Sequence, residues 1–501
     1  MKNILELLEI NAKKLSQKTA FADGNKTVTY SELLENSKRI GTALLSLNET
    51  KQPVAVYLDK SVDVISAMFG IAYSGNFYTV IDSEMPAERI NKIFSTLKPV
   101  AVLTDNKHFD KASELNVSML FTLEESLNSD IDEIALGKIR EKQIDTDPLY
   151  ALYTSGSTGV PKGALLNHRN VLAYSKWAVD TFGINESTVF GNQTPFYFSM
   201  SVTDIYSTIR AGATLVIIPK LFFSFPIKLI EFMNENQINT IYWVPSAIGI
   251  VSNYKLFDIE KPKYLKTVLF AGEVMPTKQL NYWIDSLDGD ILYANLYGPT
   301  ETTDICTYYT VDRRFKDDEP LPIGKHCDNC DVMIINSEGK LARKGEEGEL
   351  YVRGSFLAAG YYNNPEKTTA AFVQNPLNKS YPEICYKTGD LVKLNDNDEI
   401  MYICRKDYQI KHMGYRIEPG EIETAASSLE GMKECACVYD EEKDRIILFY
   451  SASKMNDEKV MNLLSKKLNS YMLPNKLVKL SKLPHNQNGK IDRKELKEIV
   501  N

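Results

Sequence analysis

The sequence predicts an α/β protein: a large N-terminal α/β body followed by a small C-terminal α+β domain. Three observations predict it. Short apolar runs alternate with helical patterns through most of the chain, as strands joined by crossover helices do. From Gly348 onward this rhythm gives way to shorter β segments, and it breaks at Arg405–Asp407. The chain has 501 residues, 44% of them hydrophobic and 25% charged, which is ordinary for a globular protein and long enough for two or three domains.

The elements run in order along the chain. The opening MKNILELLEINAKKL places Ile4, Leu5, Leu8 and Leu15 at helical spacing, while Glu6 and Glu9 interrupt any signal-type apolar core. Strands are predicted at 53–57, 77–81 and 100–104, with helices at 61–75 and 87–97 between them. The pattern returns as a strand at 213–219, a helix at 227–236 and strands at 240–244, 265–271 and 291–296. Shorter β segments come next, at 349–353 and 399–404. Beyond the break, helices are predicted at 418–429 and 457–468 and strands at 435–439, 445–450 and 476–480. The domains are therefore expected at 1–405 and 406–501.

Composition excludes some functions. A net charge of −8 argues against a general nucleic-acid binder, which needs a surplus of Lys and Arg. No apolar stretch approaches the ~18 residues of a membrane span. The seven cysteines are scattered and odd in number, which points to a reducing cytoplasm. Cys327-Asp-Asn-Cys330 is formally a CxxC, but a zinc site wants a second pair, and Cys435-Ala-Cys437 is too distant and too tightly spaced. Cys435 and Cys437 are expected on one face of a strand.

The stretch with most chemistry is Leu149-Tyr-Ala-Leu-Tyr-Thr-Ser-Gly-Ser-Thr-Gly-Val-Pro-Lys-Gly163. A strand over 149–153 runs into a loop where Gly156 and Gly159 permit close backbone approach to a ligand. Successive N–H groups can then form an anion-binding concavity. Thr154, Ser155, Ser157 and Thr158 add hydroxyls and Lys162 adds a positive charge. A plain surface turn would not need four hydroxyls, three glycines and a lysine in ten residues. The loop is not a Walker A motif, because Pro161 precedes the lysine and Gly163 comes after it.

TSGSTGVPKG closely resembles the signature loop of adenylate-forming enzymes: acyl-CoA synthetases, firefly luciferase and nonribosomal-peptide adenylation domains. Further motifs recur in order: Asn295-Leu-Tyr-Gly-Pro-Thr-Glu301, Gly348-Glu-Leu-Tyr-Val-Arg-Gly354, Tyr386-Lys-Thr-Gly-Asp390, the hinge stretch from Arg405 to Glu418, and Asn488-Gly-Lys490. The resemblance implies a body containing β-sheets and a distorted β-barrel, with a mobile C-terminal lid. It implies ATP and Mg²⁺ as cofactors. The carboxylate of a small acid attacks the α-phosphate, pyrophosphate leaves, and a thiol then takes the acyl group. Thr154 to Gly159 would cradle the β- and γ-phosphates near Lys162. Gly272, Glu273, Asn295 and Gly298 would line the nucleotide site, with Tyr297 against the adenine. Thr300 would donate to the α-phosphate and Glu301 would hold Mg²⁺, a hard cation suited to carboxylate. Asp390 would take the ribose hydroxyls, assisted by Arg405. Lys490 would be the catalytic lysine. Asp407 would be the hinge that exchanges Lys490 for the face bearing Gly414. Cys404 departs from the family, which usually has Gly before the Arg.

Among subfamilies the chain looks most like amino-acid adenylation domains, and especially stand-alone D-alanine–carrier-protein ligases, through the stretch Asn192 to Tyr206. By resemblance the acyl pocket is Phe198, Ser199, Met200, Thr203, Tyr242, Leu269, Ala271, Leu296, Asp304 and Ile305. Where those ligases place an Asp for the substrate's α-ammonium, this chain has Ser199. A buried ammonium without a counter-charge is expensive. Either the substrate lacks an α-amino group, or another carboxylate replaces the lost one, Asp304 before Asp204. The thiol acceptor is expected to be the phosphopantetheine of a separate carrier protein, since no carrier domain follows Asn501. The alternatives are a small-acid–CoA ligase, a D-alanine–carrier-protein ligase, and a non-catalytic nucleotide-binding relative. Joint retention of Lys162, Glu301, Asp390 and Lys490 argues against the last.

Overall fold

The computed structural model describes residues 1–155, 160–406, 409–453, 455–485 and 491–500, the side chain of Lys494 excepted. They form two compact units. The first comprises Met1–Ser83, Lys98–Leu152 and Ala164–Lys406; the second comprises Glu84–Leu97, Tyr153–Gly163 and Asp407–Asn501.

The first unit is built on a nine-stranded sheet. Its central strands run in the order Leu292–Tyr297, Thr267–Phe270, Thr240–Trp243, Val189–Asn192, Thr214–Ile217, Thr19–Ala22, all parallel. Antiparallel strands close both edges. The middle strands Thr240–Trp243 and Thr267–Phe270 are buried at every residue, as expected when helices cover both faces. A six-stranded sheet is ordered Leu120–Thr122, Ala101–Thr104, Pro53–Leu58, Phe77–Asp82, Pro148–Thr154, Lys162–Asn167. A five-stranded antiparallel sheet, from Cys330–Ile335 to Ile400–Arg405, occupies the β-rich part of the body.

Two helices of the first unit carry residues of the predicted acyl pocket and its surroundings. His168–Phe182 starts at a capping box, in which Asn167 accepts from the Asn170 N–H and Asn170 accepts in return, and stops at Gly183 with φ +63°. Met200–Ala211 is buried at every residue from Met200 to Ile209 and ends at Gly212, φ +67°. The left-handed backbone at these two helix ends is one that glycine adopts without a steric penalty.

In the second unit, strands Met432–Asp440, Arg445–Ala452 and Lys476–Lys479 form a sheet packed by helices Pro419–Ser427 and Asp457–Leu464. The latter helix stops four residues short of the predicted end, yet Leu468 still lies buried in the same core. Cys435 and Cys437 share that core, on one face of their strand. Arg89 and Glu421 form an ion pair in which both side chains are 4% exposed. Among the described residues no helix is long and apolar enough to cross a membrane.

Candidate active site

Three of the loops that carry predicted site residues leave the carboxyl ends of parallel strands, where open α/β sheets bind ligands. Val189–Asn192 leads into the loop with Phe198 and Ser199, Thr267–Phe270 into Ala271, Gly272 and Glu273, and Leu292–Tyr297 into Gly298 to Asp304.

The last of these loops is the tightest. Cys306 N–H returns to the Tyr297 carbonyl at 2.8 Å. A Cβ on Gly298 would lie 2.3 Å from the Asp304 carbonyl oxygen and 2.5 Å from Ile305 Cα, so only glycine fits. Thr303 adopts φ +70°, a strained backbone for a β-branched residue, of order 1–3 kcal/mol. Its hydroxyl is tied to the Phe356 carbonyl at 2.8 Å. Between them, Glu301 is fully buried and accepts from the Tyr361 hydroxyl at 2.6 Å. Thr300 directs its hydroxyl to Ser199 Oγ, 3.3 Å away.

A second cluster centres on Asp390, 2% exposed. Asp390 and Arg405 face each other across an antiparallel pair. Arg405 Nη1 donates to Asp390 Oδ1 at 3.0 Å and to the Thr388 carbonyl at 2.7 Å. Gly389 has φ +75°, and a Cβ there would come 2.7 Å from Arg405 Nη2. The Tyr297 hydroxyl donates to Asp390 Oδ2, and burial together with that carboxylate pushes the phenol well above its usual range. A carboxylate oxygen has two lone pairs. Each oxygen of Asp390 therefore keeps one for a ligand hydroxyl.

The predicted pocket residues form a third cluster. Met200, Leu269, Ala271, Leu296 and Ile305 are buried and apolar, and Ser199 and Phe198 are partly exposed. Among them sits Asp304, 1% exposed. Thr203 Oγ1, Tyr242 Oη and Tyr174 Oη approach its Oδ2 at 2.7, 3.0 and 3.1 Å. Burial pushes the Asp304 carboxyl up to about 6, against the pull of hydrogen bonds from Thr203, Tyr242, Tyr174 and Ser199. Asp204, on the same helix as Thr203, accepts from Asn192 Nδ2 at 2.6 Å, and burial pushes it up to about 8.

Other predicted residues have structural partners. Glu273 accepts from the Ser246 N–H at 2.8 Å, in the first turn of helix Pro245–Asn253. Asn295 Nδ2 donates to the Pro322 carbonyl at 2.8 Å, and Gly272 has φ +94°. In the second unit, Thr154 ends strand Pro148–Thr154, and its buried hydroxyl meets no partner among the described residues. The Ser155 hydroxyl donates to the Arg416 carbonyl, and Lys162 opens strand Lys162–Asn167. Gly414, φ +78°, turns the hairpin of Ile410–His412 and Tyr415–Ile417. Gly156, Ser157, Thr158, Gly159, Asp407 and Lys490 lie outside the described residues.

Sequence reasoning missed three participants. Tyr174 and Tyr361 give no local signal, since a buried tyrosine on a helix face or after a glycine reads as core. Lys60 donates to the Gln193 carbonyl at 3.1 Å, lies over the Phe196 ring, and is pulled by burial down to about 7. A lysine directly after a buried strand was its one legible cue. Cys327 and Cys330 lie buried, which pushes both thiols well up. Among the described residues no group of three His, Cys, Asp or Glu could hold a metal.

Comparison with known proteins agrees with this geometry. Residues 8–362 match the AMP-binding enzyme family and residues 421–490 its C-terminal domain. The chain is 28% identical to the D-alanine–D-alanyl carrier protein ligase of Lacticaseibacillus casei, over 100% of this chain and 99% of that one. It is 30% identical to tyrocidine synthase 1 of Brevibacillus parabrevis, covering 99% of this chain but 45% of the relative. It spans 8% of tyrocidine synthase 3 from the same organism, at 29% identity. The fold is shared with the Vibrio cholerae adenylation domain AlmE, solved with glycyl-adenosine-5'-phosphate, at TM-score 0.85 and 21% identity over 99% of this chain and 97% of that one. It is shared also with holo-PA1221, a protein with adenylation and PCP domains, at TM-score 0.84 and 20% identity over 99% and 84%. The chain belongs to the AMP-binding enzyme family.

Proposed function

We propose that the chain is an AMP-forming acid–thiol ligase. It joins a small carboxylic acid to ATP as an acyl-adenylate, then passes the acyl group to the phosphopantetheine thiol of a separate carrier protein. One observation carries the reading. Thr300, in the family's Tyr-Gly-Pro-Thr-Glu motif, reaches the acyl-pocket hydroxyl of Ser199 at 3.3 Å. The residue assigned to the α-phosphate and the lining of the acid pocket are thus neighbours, as an attack of carboxylate on phosphorus requires.

In the first step a carboxylate oxygen bonds to the α-phosphorus and the bond from that phosphorus to the bridging oxygen breaks, releasing pyrophosphate. The buried Asp390 positions the ribose through the lone pairs left by Arg405 and Tyr297. Thr300 donates to the α-phosphate, and we assign the ammonium of Lys490 to the charge that develops there. Thr154, Ser155 and Lys162 belong to the stretch that would hold the outer phosphates. In the second step the thiol sulfur attacks the acyl carbon, AMP leaves, and the thiol proton passes to water.

For Mg²⁺ the donor chemistry fits. Glu301 offers one buried carboxylate, held from one side by Tyr361, and Mg²⁺ binds through one or two carboxylates plus phosphates rather than an all-protein cage. When bound, the ion neutralises phosphate charge. We assign residues 406–501 as the lid that carries Lys490, and Asp407 as its hinge.

The full-length similarity to carrier-protein ligases supports a carrier rather than CoA as acceptor. The test is acid-dependent exchange of pyrophosphate into ATP. Lys490→Ala should lower it at least 100-fold, and exchange at full rate would remove Lys490 from the mechanism. Offering a holo carrier protein and free CoA in parallel then separates the two acceptors.

A further inference from the structure

Acid activation does not call for a carboxylate inside the acyl pocket, yet one is there. Asp304 is 1% exposed, and an ion so far from water is strongly disfavoured unless paired. Among the described residues the groups that hydrogen-bond to it are hydroxyls: Thr203, Tyr174 and Tyr242. No Lys or Arg among the described residues pairs with it. Lys60 is directed to the Gln193 carbonyl.

The hydroxyls are arranged unevenly. Thr203, Tyr242 and Tyr174 all converge on Oδ2, and none of the three uses Oδ1. The other buried acid nearby, Asp204 on helix Met200–Ala211, is taken up by Asn192 Nδ2 at 2.6 Å, and burial raises both carboxyls above their ordinary range. Asp304 is thus a buried carboxylate braced on one oxygen, and no cation among the described residues completes it.

Its place along the substrate follows from two contacts. The reacting carboxylate must lie beside Thr300. Ser199 lies 3.3 Å from Thr300. Asp304 is held one helical turn further along: Thr203, four residues after Ser199, bonds it at 2.7 Å. An α-ammonium sits one carbon from the carboxylate and would face the Ser199 hydroxyl, which carries no charge. An ammonium one or two carbons further along reaches past Ser199.

We propose that Asp304 is the receptor for the substrate's ammonium, and that the substrate is an amino acid whose nitrogen is carried on the β- or γ-carbon rather than the α-carbon. This rests on the chain being an adenylating ligase. The other residues that the resemblance assigns to the pocket, Met200, Leu269, Ala271, Leu296 and Ile305, are buried and apolar, which suits the carbon chain between the two charged ends.

The test uses the natural full-length protein with ATP and Mg²⁺ in pyrophosphate exchange. The acids are β-alanine, 3-aminobutanoate, 4-aminobutanoate, 3-hydroxybutanoate, butanoate, benzoate, and D- and L-alanine. One of the β- or γ-amino acids should exceed 3-hydroxybutanoate, butanoate and both alanines by at least 100-fold in kcat/KM. Equal or better exchange with an alanine or an amine-free acid overturns the proposal and leaves adenylation standing. No exchange with any acid overturns adenylation itself. Asp304→Asn should lower the preference for the amino acid over its hydroxy counterpart at least 30-fold, and an unchanged preference overturns the proposal. If that variant does not fold, the panel on the natural chain decides alone.

Discussion

Asp390 and Asp304 are nearly equal in burial, at 2% and 1% exposure, and their surroundings differ in kind. Asp390 has a protein cation: Arg405 holds one oxygen at 3.0 Å and the Tyr297 hydroxyl holds the other. Among the described residues Asp304 has only hydroxyls. A carboxylate that closes its own ion pair is part of the scaffold whether or not a ligand is present. A carboxylate left with dipoles alone is stabilised incompletely until a cation arrives. Under the proposed function the nucleotide end would be preorganised, and the acid end would carry the charge deficit that selects its ligand.

Breaking the first arrangement should have the largest effect. Asp390→Ala strands Arg405, whose side chain is 11% exposed, and removing one partner of a buried pair costs about 3–5 kcal/mol. Urea unfolding should show that loss, together with a rise in KM for ATP. A variant as stable as the parent would mean the pair does not hold the scaffold.

The second arrangement should respond to pH. Asp304 is raised to about 6 in the folded protein, above the ordinary carboxylate value. Between roughly pH 4 and 6 the folded state therefore binds more protons than the unfolded state, and stability falls as pH rises through that window. The full effect is about 3 kcal/mol at most. The groups facing Asp304 stay neutral there: burial pushes Tyr174, Tyr242 and Cys327 well up and Asp204 to about 8. Asp304→Asn should flatten this slope, so that the variant gains on the parent between pH 4.5 and pH 7 in urea unfolding. A parent-minus-variant difference that is constant with pH would refute the assignment.

The contrast between the two carboxylates was only half legible in the sequence. Asp390 and Arg405 fall in motifs, and the parallel strands fall in long apolar runs, because both are fixed by local pattern. The strands at 53–58 and 240–243 needed no tertiary information, and Pro226 at the first turn of its helix marks a start that sequence can show. The environment of Asp304 is non-local. Tyr174 comes from one helix, Thr203 from another, Tyr242 from a strand and Asp304 from a loop. No spacing along the chain brings four such elements to one oxygen. Ser199 signalled that a charge was missing, and the fold shows where the remaining charge lies.

Removing one of these dipoles should give an intermediate effect. Tyr174→Phe deletes a hydroxyl 3.1 Å from Asp304 Oδ2 and 2.6 Å from Thr203 Oγ1. A hydrogen bond to a charged group contributes about 1.5–3 kcal/mol, of which a shared one supplies the lower part. The expected result is a roughly tenfold fall in kcat/KM for an amino acid substrate, with the acid limb of its pH profile moved upward because the ionised carboxylate has lost a donor. A merely structural role for Tyr174 would lower activity without moving that limb.

The smallest effect should come from Ser199→Ala, and that smallness is informative. Ser199 touches Thr300 at 3.3 Å and is a minor influence on Asp304 beside Thr203, Tyr242 and Tyr174. If the ammonium rests on Asp304, the serine hydroxyl supplies a neutral contact of about 0.5–1.5 kcal/mol. Measured kcat/KM for the amino acid should then fall only a few-fold, and the preference over the amine-free analogue should persist. If the ammonium instead rests beside Ser199, its loss leaves a buried cation facing a methyl group. Activity would then fall far more than Tyr174→Phe makes it fall. The ranking of these two single-hydroxyl deletions thus reads out where along the substrate the nitrogen sits, because each removes one oxygen and they differ in which end of the acid that oxygen faces.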